Sequence, residues 1–319
     1  MSGLLGQVGW APVALWGAWV VLAVLMGDGG PTLPRALALA LMVGAVVAAR
    51  TLAPALATPV LALELLAGSL WFASLTPRDD RDWLPEQSRL PDVELFAEGF
   101  EVRDLRTFRW TTPTEGTPGW TTQRYRFADL VGADLGISRF SELEAMAHVF
   151  VSFRFADGRV LCASVEVRKE RGESFDPVRG LFRHYEKIVV LGDELDVVGL
   201  RALALEERVE LHPLEVSRDG VEQFLRSVLD EAAALHERPA WYHTVTASCS
   251  TSLSRHLRRM GALPFDHRVL FPGYADTLAH ELGWLGAAPL AELRERHRVD
   301  EHARDVGPVD DFSARLRDY

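Results

Sequence analysis

Two cysteines occur in the sequence, and the second, Cys249, directly precedes a segment with helical character, TSLSRHLRRMG. A thiol at a helix N-terminus is stabilised as thiolate by the partial positive charge there, and a nearby imidazolium lowers its pKa further. Cys249 is therefore a candidate nucleophile. The other cysteine, Cys162, alternates with apolar residues in a predicted strand and is interpreted as a small core residue. A disulfide between the two is the alternative, and it depends on their separation.

A histidine and a glutamate lie on two predicted strands that are joined by a short turn. The strands HVFVSFRF and RVLCASVEVR flank the Ala-Asp-Gly of residues 156–158, and a three-residue loop ending in glycine fits a type I turn with a G1 bulge. This turn pairs Phe155 with Arg159 and brings His148 opposite Glu166. A two-residue Asp-Gly turn would instead send Glu166 to the other face of the sheet.

If His148 and Glu166 meet, the carboxylate can hold one imidazole nitrogen and leave the other free as a base. With Cys249 they would form a nucleophile, a base and an orienting acid, in a papain-like arrangement with permuted chain order. His243 and His256 are closer in sequence to the cysteine, but His256 lies two helical turns beyond it. No His/Cys spacing resembles a zinc site and no glycine-rich phosphate loop occurs, so we predict neither a metal nor a cofactor.

Residues 1–76 have the composition of a membrane region. Their charged residues are Asp28, Arg35, Arg50 and Glu64. The apolar stretches predict three transmembrane helices, at about 8–27, 34–50 and 54–75. A cleaved signal peptide is the alternative for the first, and the number of spans stays open because few Lys and Arg residues flank them. Glu64 is either a functional carboxylate within the membrane or a polar contact between helices.

From residue 77 onward the composition is that of a globular domain, which carries the whole formal charge of −11. Such an acidic domain does not indicate nucleic-acid binding. Hydrophobic periodicity predicts an α+β fold with a small antiparallel sheet and packed helices. The predicted strands are 93–109, 124–130, 148–155, 159–168, 187–191 and 208–214, and the predicted helices are 220–236, 251–260 (ended by Gly261), 277–285 and 289–302.

Several separated segments also resemble one known family. They are RDDRDWLPEQSRLP, VRDLRTFRW, AHVFVSFRFADGRVLCASVEVRKERGESF, GLFRHYEKIVVLGDELDVVGLR, PAWYHTVTASCSTSL, PGYADTLAHELGWL and DFSARLR. In this order they are similar to the bacterial family that carries the Lnb N-terminal periplasmic domain, over residues 77–317. The resemblance implies a lipoprotein N-acyltransferase. Its catalytic domain, residues 77–319, would lie outside the cytoplasm and would have a permuted papain-like fold of the NlpC type.

The resemblance also implies site residues. The family's Asn-Cys-Thr motif falls on Cys249, its His-x-x-x-Ser-Phe strand on His148 and its Ser-x-Glu-x-Arg strand on Glu166. The sequence departs from the family at Tyr242-His243, where Tyr-Asn is usual, and at Ser248, where Asn is usual. The candidate substrate-binding residues, each with a structural role as the alternative, are Arg168, Tyr185, Asp193, Arg201, Tyr242 and Ser248.

The expected protein is thus an integral protein of the bacterial inner membrane with its catalytic domain in the periplasm. Its expected partners are a membrane phospholipid as acyl donor and a lipoprotein N-terminus as acceptor. His148 would take the proton of Cys249, and the acyl chain would pass through a thioester to the amine. Backbone N–H groups at the start of the Cys249 helix would hold the oxyanion. A phospholipase or a cysteine peptidase or amidase with the same triad, and a non-catalytic membrane-anchored binding module, are the alternatives.

Overall fold

The computed structural model describes residues 11–28, 32–52, 54–259 and 266–318. The fold is α+β, as predicted: apolar helices are followed by a domain in which one large sheet carries helices on both faces. The helices of the N-terminal region are α1 (Ala11–Met26), α2 (Thr32–Leu52) and α3 (Pro54–Ser74).

Two stretches within these helices, Arg35–Leu52 and Ala55–Ser74, are long and apolar enough to cross a membrane, and Val13–Met26 is a shorter apolar helix. Many of their large side chains face outward; Leu41 is 75% exposed, as expected for contact with lipid. Residues 8–10 of the first predicted span lie outside the described part of the chain. Glu64 is partly buried on α3 and makes no hydrogen bond or ion pair with a described residue.

The strands of the domain are β1 (Asp92–Leu95), β2 (Gly99–Arg106), β3 (Arg109–Trp110), β4 (Gly116–Thr117), β5 (Trp120–Arg126), β6 (Leu130–Arg139), β7 (His148–Phe155), β8 (Val160–Arg168), β9 (Glu186–Gly192) and β10 (Arg208–Pro213). In the described residues, eight of them form one sheet in the order β1-β2-β9-β8-β7-β6-β10, with β5 beside β2, while β3 and β4 pair separately. Neighbours are antiparallel except at the single parallel bridge between Arg106 and Gly192.

This sheet is larger than the small sheet that the sequence predicts. The predicted strand 93–109 is divided by a turn, in which the Phe96 N–H donates to the Gly99 carbonyl at 2.8 Å. The long strand β6 is absent from the prediction. It lies between β7 and the edge strand β10, its two faces are both largely buried, and glycine occupies two of its positions, so it lacks the alternation that marks a strand with one solvent face.

The helices of the domain are α4 (Glu194–Gly199), continued by a π-helical segment (Leu200–Ala204), α5 (Arg218–Glu237), α6 (Cys249–Arg259), α7 (Ala275–Glu281), α8 (Leu290–Arg296), α9 (Asp300–Val306) and α10 (Phe312–Arg315). The helix predicted at 289–302 is therefore two helices. Met260 and Gly261, where the predicted end of α6 falls, lie outside the described residues.

Each face of the sheet has its own hydrophobic core. Val149 and Val151 of β7 pack with Leu253 of α6 and with α5 on one face. Phe150, between them in sequence, points to the opposite face, where its cluster includes residues of α4, α9 and α10. The two-residue period of a strand therefore assigns alternate residues of β7 to different helices.

The domain is attached to the ends of the apolar helices by several polar contacts. Arg183 donates to the carbonyls of Phe72 and Ala73 near the end of α3, at 2.9 and 3.2 Å. Arg81 forms ion pairs with Asp28, just after α1, and with Glu186 of β9 at 2.9 Å. These contacts hold the domain against the ends of both α1 and α3.

Candidate active site

The turn between β7 and β8 has the predicted geometry. The Phe155 N–H donates to the Arg159 carbonyl at 2.9 Å, and Gly158 has a φ of 85°, in the left-handed region that favours glycine. The ladder pairs Phe150 with Ser164, and this register, continued outward, brings His148 opposite Glu166. The predicted three-residue turn and its register are confirmed.

A serine that the sequence analysis did not single out connects the two side chains. The His148 Nε2 lies 2.7 Å from the Ser164 Oγ, which donates to the Glu166 Oε1 at 2.8 Å. The direct distance from Nε2 to Oε1 is 3.8 Å. Ser164 could have been found from its spacing, because it lies two residues before Glu166 on the same face of a strand.

A buried arginine from the helical layer completes this cluster. Arg201, in the π-helical segment after α4, donates to the Glu166 Oε1 at 3.0 Å. Burial acts to raise the pKa of Glu166, but the charges of Arg201, His148 and Arg106 bring it down to about 2. Burial and the charge of Arg201 together lower the pKa of His148 to about 3, against the opposing effect of Glu166. The glutamate is therefore ionised and the imidazole neutral at neutral pH.

These ionisation states determine the tautomer of His148. An ionised carboxylate has no proton to give, so the Ser164 hydroxyl donates to Glu166 and its oxygen accepts from the imidazole Nε2–H. The proton of the neutral ring thus lies on Nε2. The other nitrogen, Nδ1, is left as a free proton acceptor.

Cys249 is the first residue of α6, so its thiol lies where the helix leaves N–H groups without helical partners. Ser248 caps this end: the Ser248 N–H donates to the Thr251 Oγ1 at 2.8 Å, and the Thr251 N–H approaches the Ser248 Oγ at 3.4 Å. This reciprocal pattern is that of a capping box. Ser248 therefore fixes the start of the helix that carries the thiol.

The ionisation of Cys249 differs from the prediction. Burial raises the pKa of the thiol, although the N–H groups of Val149 and Ser250 and the charge of Arg201 act in the opposite direction. The predicted low pKa was wrong for the resting site, because only 7% of Cys249 is exposed and desolvation disfavours a thiolate. The resting thiol is protonated.

The thiol and the imidazole come from elements on different faces of the sheet. His148 shares its face with Phe150, whereas Cys249 comes from the helix that packs on Val149. The ladder between β7 and β8 ends at the pair Phe150 and Ser164. Just past this pair, the Val149 N–H lies close to the thiol. Between these two described residues, Cys249 and His148, there is no hydrogen bond.

The loop before Cys249 explains one departure from the family pattern. The Nδ1 of His243 accepts from the N–H groups of Val245 and Thr246, both at 3.2 Å. An asparagine side-chain oxygen commonly accepts such bonds from residues just ahead of it. His243 therefore performs a structural task within the loop for which asparagine is also suited.

Comparison with known protein families matches residues 116–273 to the Lnb N-terminal periplasmic domain. This part of the chain belongs to that family. Curated proteins and solved structures gave no match. The Lnb domain so defined contains His148, Ser164, Glu166, Arg201 and Cys249, so the whole cluster lies within it.

Three of the candidate substrate-binding residues make contacts within the protein. Arg168 donates to the Gln87 carbonyl at 2.9 Å and its guanidinium lies over the Trp83 ring. The Tyr185 hydroxyl donates to the Ser174 carbonyl at 2.7 Å. Asp193 caps α4 and pairs with Arg109 at 2.6 Å. Arg168 and Tyr185 are buried, and these contacts support the structural alternative for all three residues.

Arg201 and Tyr242 lie nearer to the thiol. The Nε of Arg201 is buried and has no hydrogen-bond partner among the described residues. Tyr242 is 7% exposed and packs edge-on against Phe175. Burial, with a contribution from Cys249, raises the pKa of its hydroxyl, which keeps it neutral.

Both cysteines of the chain are described and both are free. Cys162 is fully buried on the face of Phe150, with its Sγ 3.2 Å from the Ser152 Oγ. Burial raises the pKa of this thiol well above its ordinary value. The structure therefore contains no disulfide between the described Cys162 and Cys249, and Cys162 has the predicted core position.

One buried cluster in the described residues has the ligand types of a metal site. Glu210, His212 and Asp276 each offer an atom within 4.8 Å of the others. Arg139 pairs with both carboxylates, at 3.1 and 2.7 Å, and Arg294 pairs with Asp276 at 2.6 Å. A cation would have to displace these guanidinium groups, so the arrangement is better suited to an ion-pair network than to a metal.

Proposed function

We propose that the protein is a thiol-dependent lipoprotein N-acyltransferase. It would move an acyl chain from a membrane phospholipid to the amino group of a diacylglyceryl-cysteine through a thioester on Cys249. The observation that carries the proposal is that Cys249 lies beside the N–H of Val149, the residue that follows His148 on β7. The tautomer of His148 is in turn set by Ser164 and Glu166. The Lnb domain supports a periplasmic role related to lipoprotein maturation.

The permuted papain-like arrangement belongs to this proposal. A nucleophile on the first residue of a helix, with its base and orienting group on adjacent earlier strands, is the same division of roles in a different chain order. The apolar N-terminal helices support an anchor, which we assign to the bacterial inner membrane, with the domain in the periplasm.

In the first half-reaction, His148 Nδ1 takes the proton of Cys249, and the thiolate attacks the carbonyl carbon of the ester. The N–H groups at the start of α6 hold the oxyanion. The ester C–O bond breaks, the His148 proton passes to the leaving oxygen, and lysophospholipid departs. Hydrogen bonds between catalytic groups are commonly long before substrate binds, so the missing contact between thiol and imidazole would form as the ester enters.

In the second half-reaction, the amino group of the lipoprotein attacks the thioester carbonyl and loses a proton to His148. The C–S bond breaks, an amide forms, and the thiolate regains the proton from the imidazolium. A neutral imidazole and a protonated thiol, the states indicated by the directions of their pKa shifts, are the starting pair for this sequence.

The position of the site relative to the apolar helices supports a membrane substrate. Thr244, in the loop before Cys249, donates to the carbonyls of Gly180 and Pro177 at 3.1 and 2.7 Å. The same 177–183 segment reaches the end of α3 through Arg183. Phe175, Val178 and Val245 are all at least 41% exposed along this segment and loop. An apolar surface beside an anchor is suited to contact with lipid.

The test uses the full chain, purified in detergent as wild type and as Cys249→Ser. Each is incubated with phospholipid and then with a diacylglyceryl-cysteine peptide, and intact masses are recorded. On the wild type we expect an acyl adduct after incubation with phospholipid. Addition of the peptide should remove this adduct and acylate the peptide amine, and the variant should form no thioester.

The alternatives give different results in the same experiment. Release of free fatty acid with an unmodified peptide would identify a phospholipase. Cleavage of the peptide without an adduct from phospholipid would identify a peptidase. No adduct with both substrates unchanged would refute the thioester mechanism and favour the binding module.

A further inference from the structure

An apolar cavity of about 230 Å³ lies beside the site, between the sheet and the helices α5, α6 and α7. Its lining includes Val149, Val151, Phe224, Leu253, Leu257 and Leu278. Ligand sites in proteins are mostly apolar concave spaces of this kind. Nothing in the proton-transfer chemistry of the cluster requires such a space.

Two hydroxyls and a guanidinium that line the cavity are occupied by the protein itself. The Ser250 hydroxyl donates to the Val269 carbonyl at 2.7 Å, and the Ser254 hydroxyl donates to the Thr251 carbonyl at 3.0 Å. Arg268, the one charged side chain among the described lining residues, is paired with Asp266 and Glu281. These described groups therefore leave a charged ligand without a free partner in the cavity, and its desolvation would be uncompensated.

Two lining residues connect the cavity to the nucleophile. The Val149 and Ser250 N–H groups are the ones that lie close to the Cys249 thiol, and both residues line the cavity. Leu253, one helical turn beyond Cys249 on α6, lines it as well. A chain attached to the sulfur can thus reach the cavity along the same side of α6.

We propose that this cavity holds the hydrocarbon chain of the acyl group while it is attached to Cys249. The inference rests on the proposed function. An engineered cavity of about 150 Å³ accommodates the six carbons of benzene, so in proportion the cavity of about 230 Å³ holds about nine carbons of an acyl chain. Longer chains project from its open side. A single straight chain suits the space because it needs no polar partner.

The first test alters the size of the cavity and measures chain-length preference. Ala275 lines it at the start of α7, and Ala275→Phe would fill part of it. With phospholipids of about 8-carbon and about 16-carbon acyl chains, the shorter near the capacity of the cavity, we expect the ratio of long-chain to short-chain thioester formation to fall at least about tenfold, as for a pocket that loses a few methylene contacts. Leu257→Ala, which enlarges the cavity, should raise the same ratio.

Ala287→Phe is the matched control, because Ala287 is exposed and does not line the cavity. It should leave the ratio unchanged. Equal ratios in the wild type, Ala275→Phe and Leu257→Ala would overturn the inference, even while thioester formation itself supported the proposed function.

A second measurement does not depend on activity. Full-length Cys249→Ala is irradiated with a phospholipid that carries a diazirine at the end of a medium-length acyl chain, and labelled peptides are identified. Labels on peptides of α6 and α7 would support the cavity, whether or not the wild type forms an adduct. Labels confined to the apolar N-terminal helices would overturn it.

Discussion

At the scale of single residues, the site depends on buried charges that solvent does not screen. The positive charge of Arg201 lowers the pKa of Glu166 and so favours the ionised carboxylate, and it also lowers the pKa of His148 and so opposes its protonation. The same arginine favours ionisation of Cys249. One guanidinium thus favours ionised Glu166 and neutral His148 and partly offsets the effect of burial on Cys249, because Coulomb interactions act over several ångströms in a buried site.

Removal of Ser164 should disconnect His148 from Glu166, since their direct separation of 3.8 Å is too long for a hydrogen bond. Ser164→Ala is expected to slow thioester formation about a hundredfold, the lower end of what general-base catalysis contributes. Nitrogen NMR shifts of His148 should report a loss of the single tautomer. Ser164→Thr keeps the hydroxyl and should retain both the rate of thioester formation and the single tautomer of His148. An unchanged tautomer in the alanine variant would contradict this positioning role.

Replacement of Arg201 should change the pH dependence of the reaction. The charge of Arg201 lowers the pKa of His148, which acts as a base only when neutral. In Arg201→Gln this pKa rises, so the acidic limb of thioester formation should move to higher pH by about one to three units. Arg201→Lys retains the positive charge and should leave the limb near the wild-type position. The measurement is the rate of adduct formation between acidic and neutral pH.

At the scale of secondary-structure elements, the turn between β7 and β8 decides which side chains meet. Its three residues set the register, and the register sets the face on which Glu166 lies. The turn is exposed and distant from the thiol in sequence. Its length nevertheless determines whether the histidine and the carboxylate can share Ser164.

Substitution of Gly158 tests this turn. Gly158 has a φ of 85°, which costs an alanine about 1 to 2 kcal/mol but is better tolerated by asparagine. Gly158→Ala is therefore expected to lower the free energy of unfolding by about 1 to 2 kcal/mol, and Gly158→Asn by less. Denaturant titration of the detergent-purified protein measures both. Equal stability of the two variants would show that the turn does not require the left-handed conformation.

Some of these elements can be predicted from the sequence and others cannot, for physical reasons. The β7–β8 pair is predictable because a local turn sets its register. Strand β6 is not, because it is buried on both faces and lacks alternation. The candidate residues Cys249, His148 and Glu166 could be named from types and spacing, whereas the pKa of Cys249 could not be predicted, since desolvation depends on what packs around it. The structural contacts of Arg168 and Asp193 could not be predicted, because their partners, Gln87 and Arg109, are distant in sequence.

At the scale of the whole molecule, the Lnb domain is attached to the apolar helices by directed contacts. Arg183 donates to backbone carbonyls near the end of α3, where a helix lacks N–H partners for its last carbonyls. The Asp28 N–H donates in turn to the Arg183 carbonyl at 3.1 Å. One arginine therefore joins both helix ends to the segment that supports the loop before Cys249.

Weakening this attachment should affect lipid substrates selectively. Arg183→Ala is expected to reduce thioester formation from phospholipid in bilayers at least about tenfold, because the effective concentration of the donor at the site falls when the orientation is lost. A water-soluble short-chain thioester or ester should still acylate Cys249 at the wild-type rate. Arg183→Lys, which can still donate to the carbonyls, is the control. Equal losses with both donors would indicate damage to the site itself.

A fixed attachment also makes bilayer thickness a variable of the reaction. Helices that are longer or shorter than the hydrocarbon core respond by tilting or by deforming the lipid around them. A domain on a flexible tether would be indifferent to such tilt, but one held at the ends of α1 and α3 must turn with the helices. In membranes of graded lipid length, the proposed transfer should therefore pass through an optimum, where helix tilt brings Cys249 level with the ester bonds of the donor.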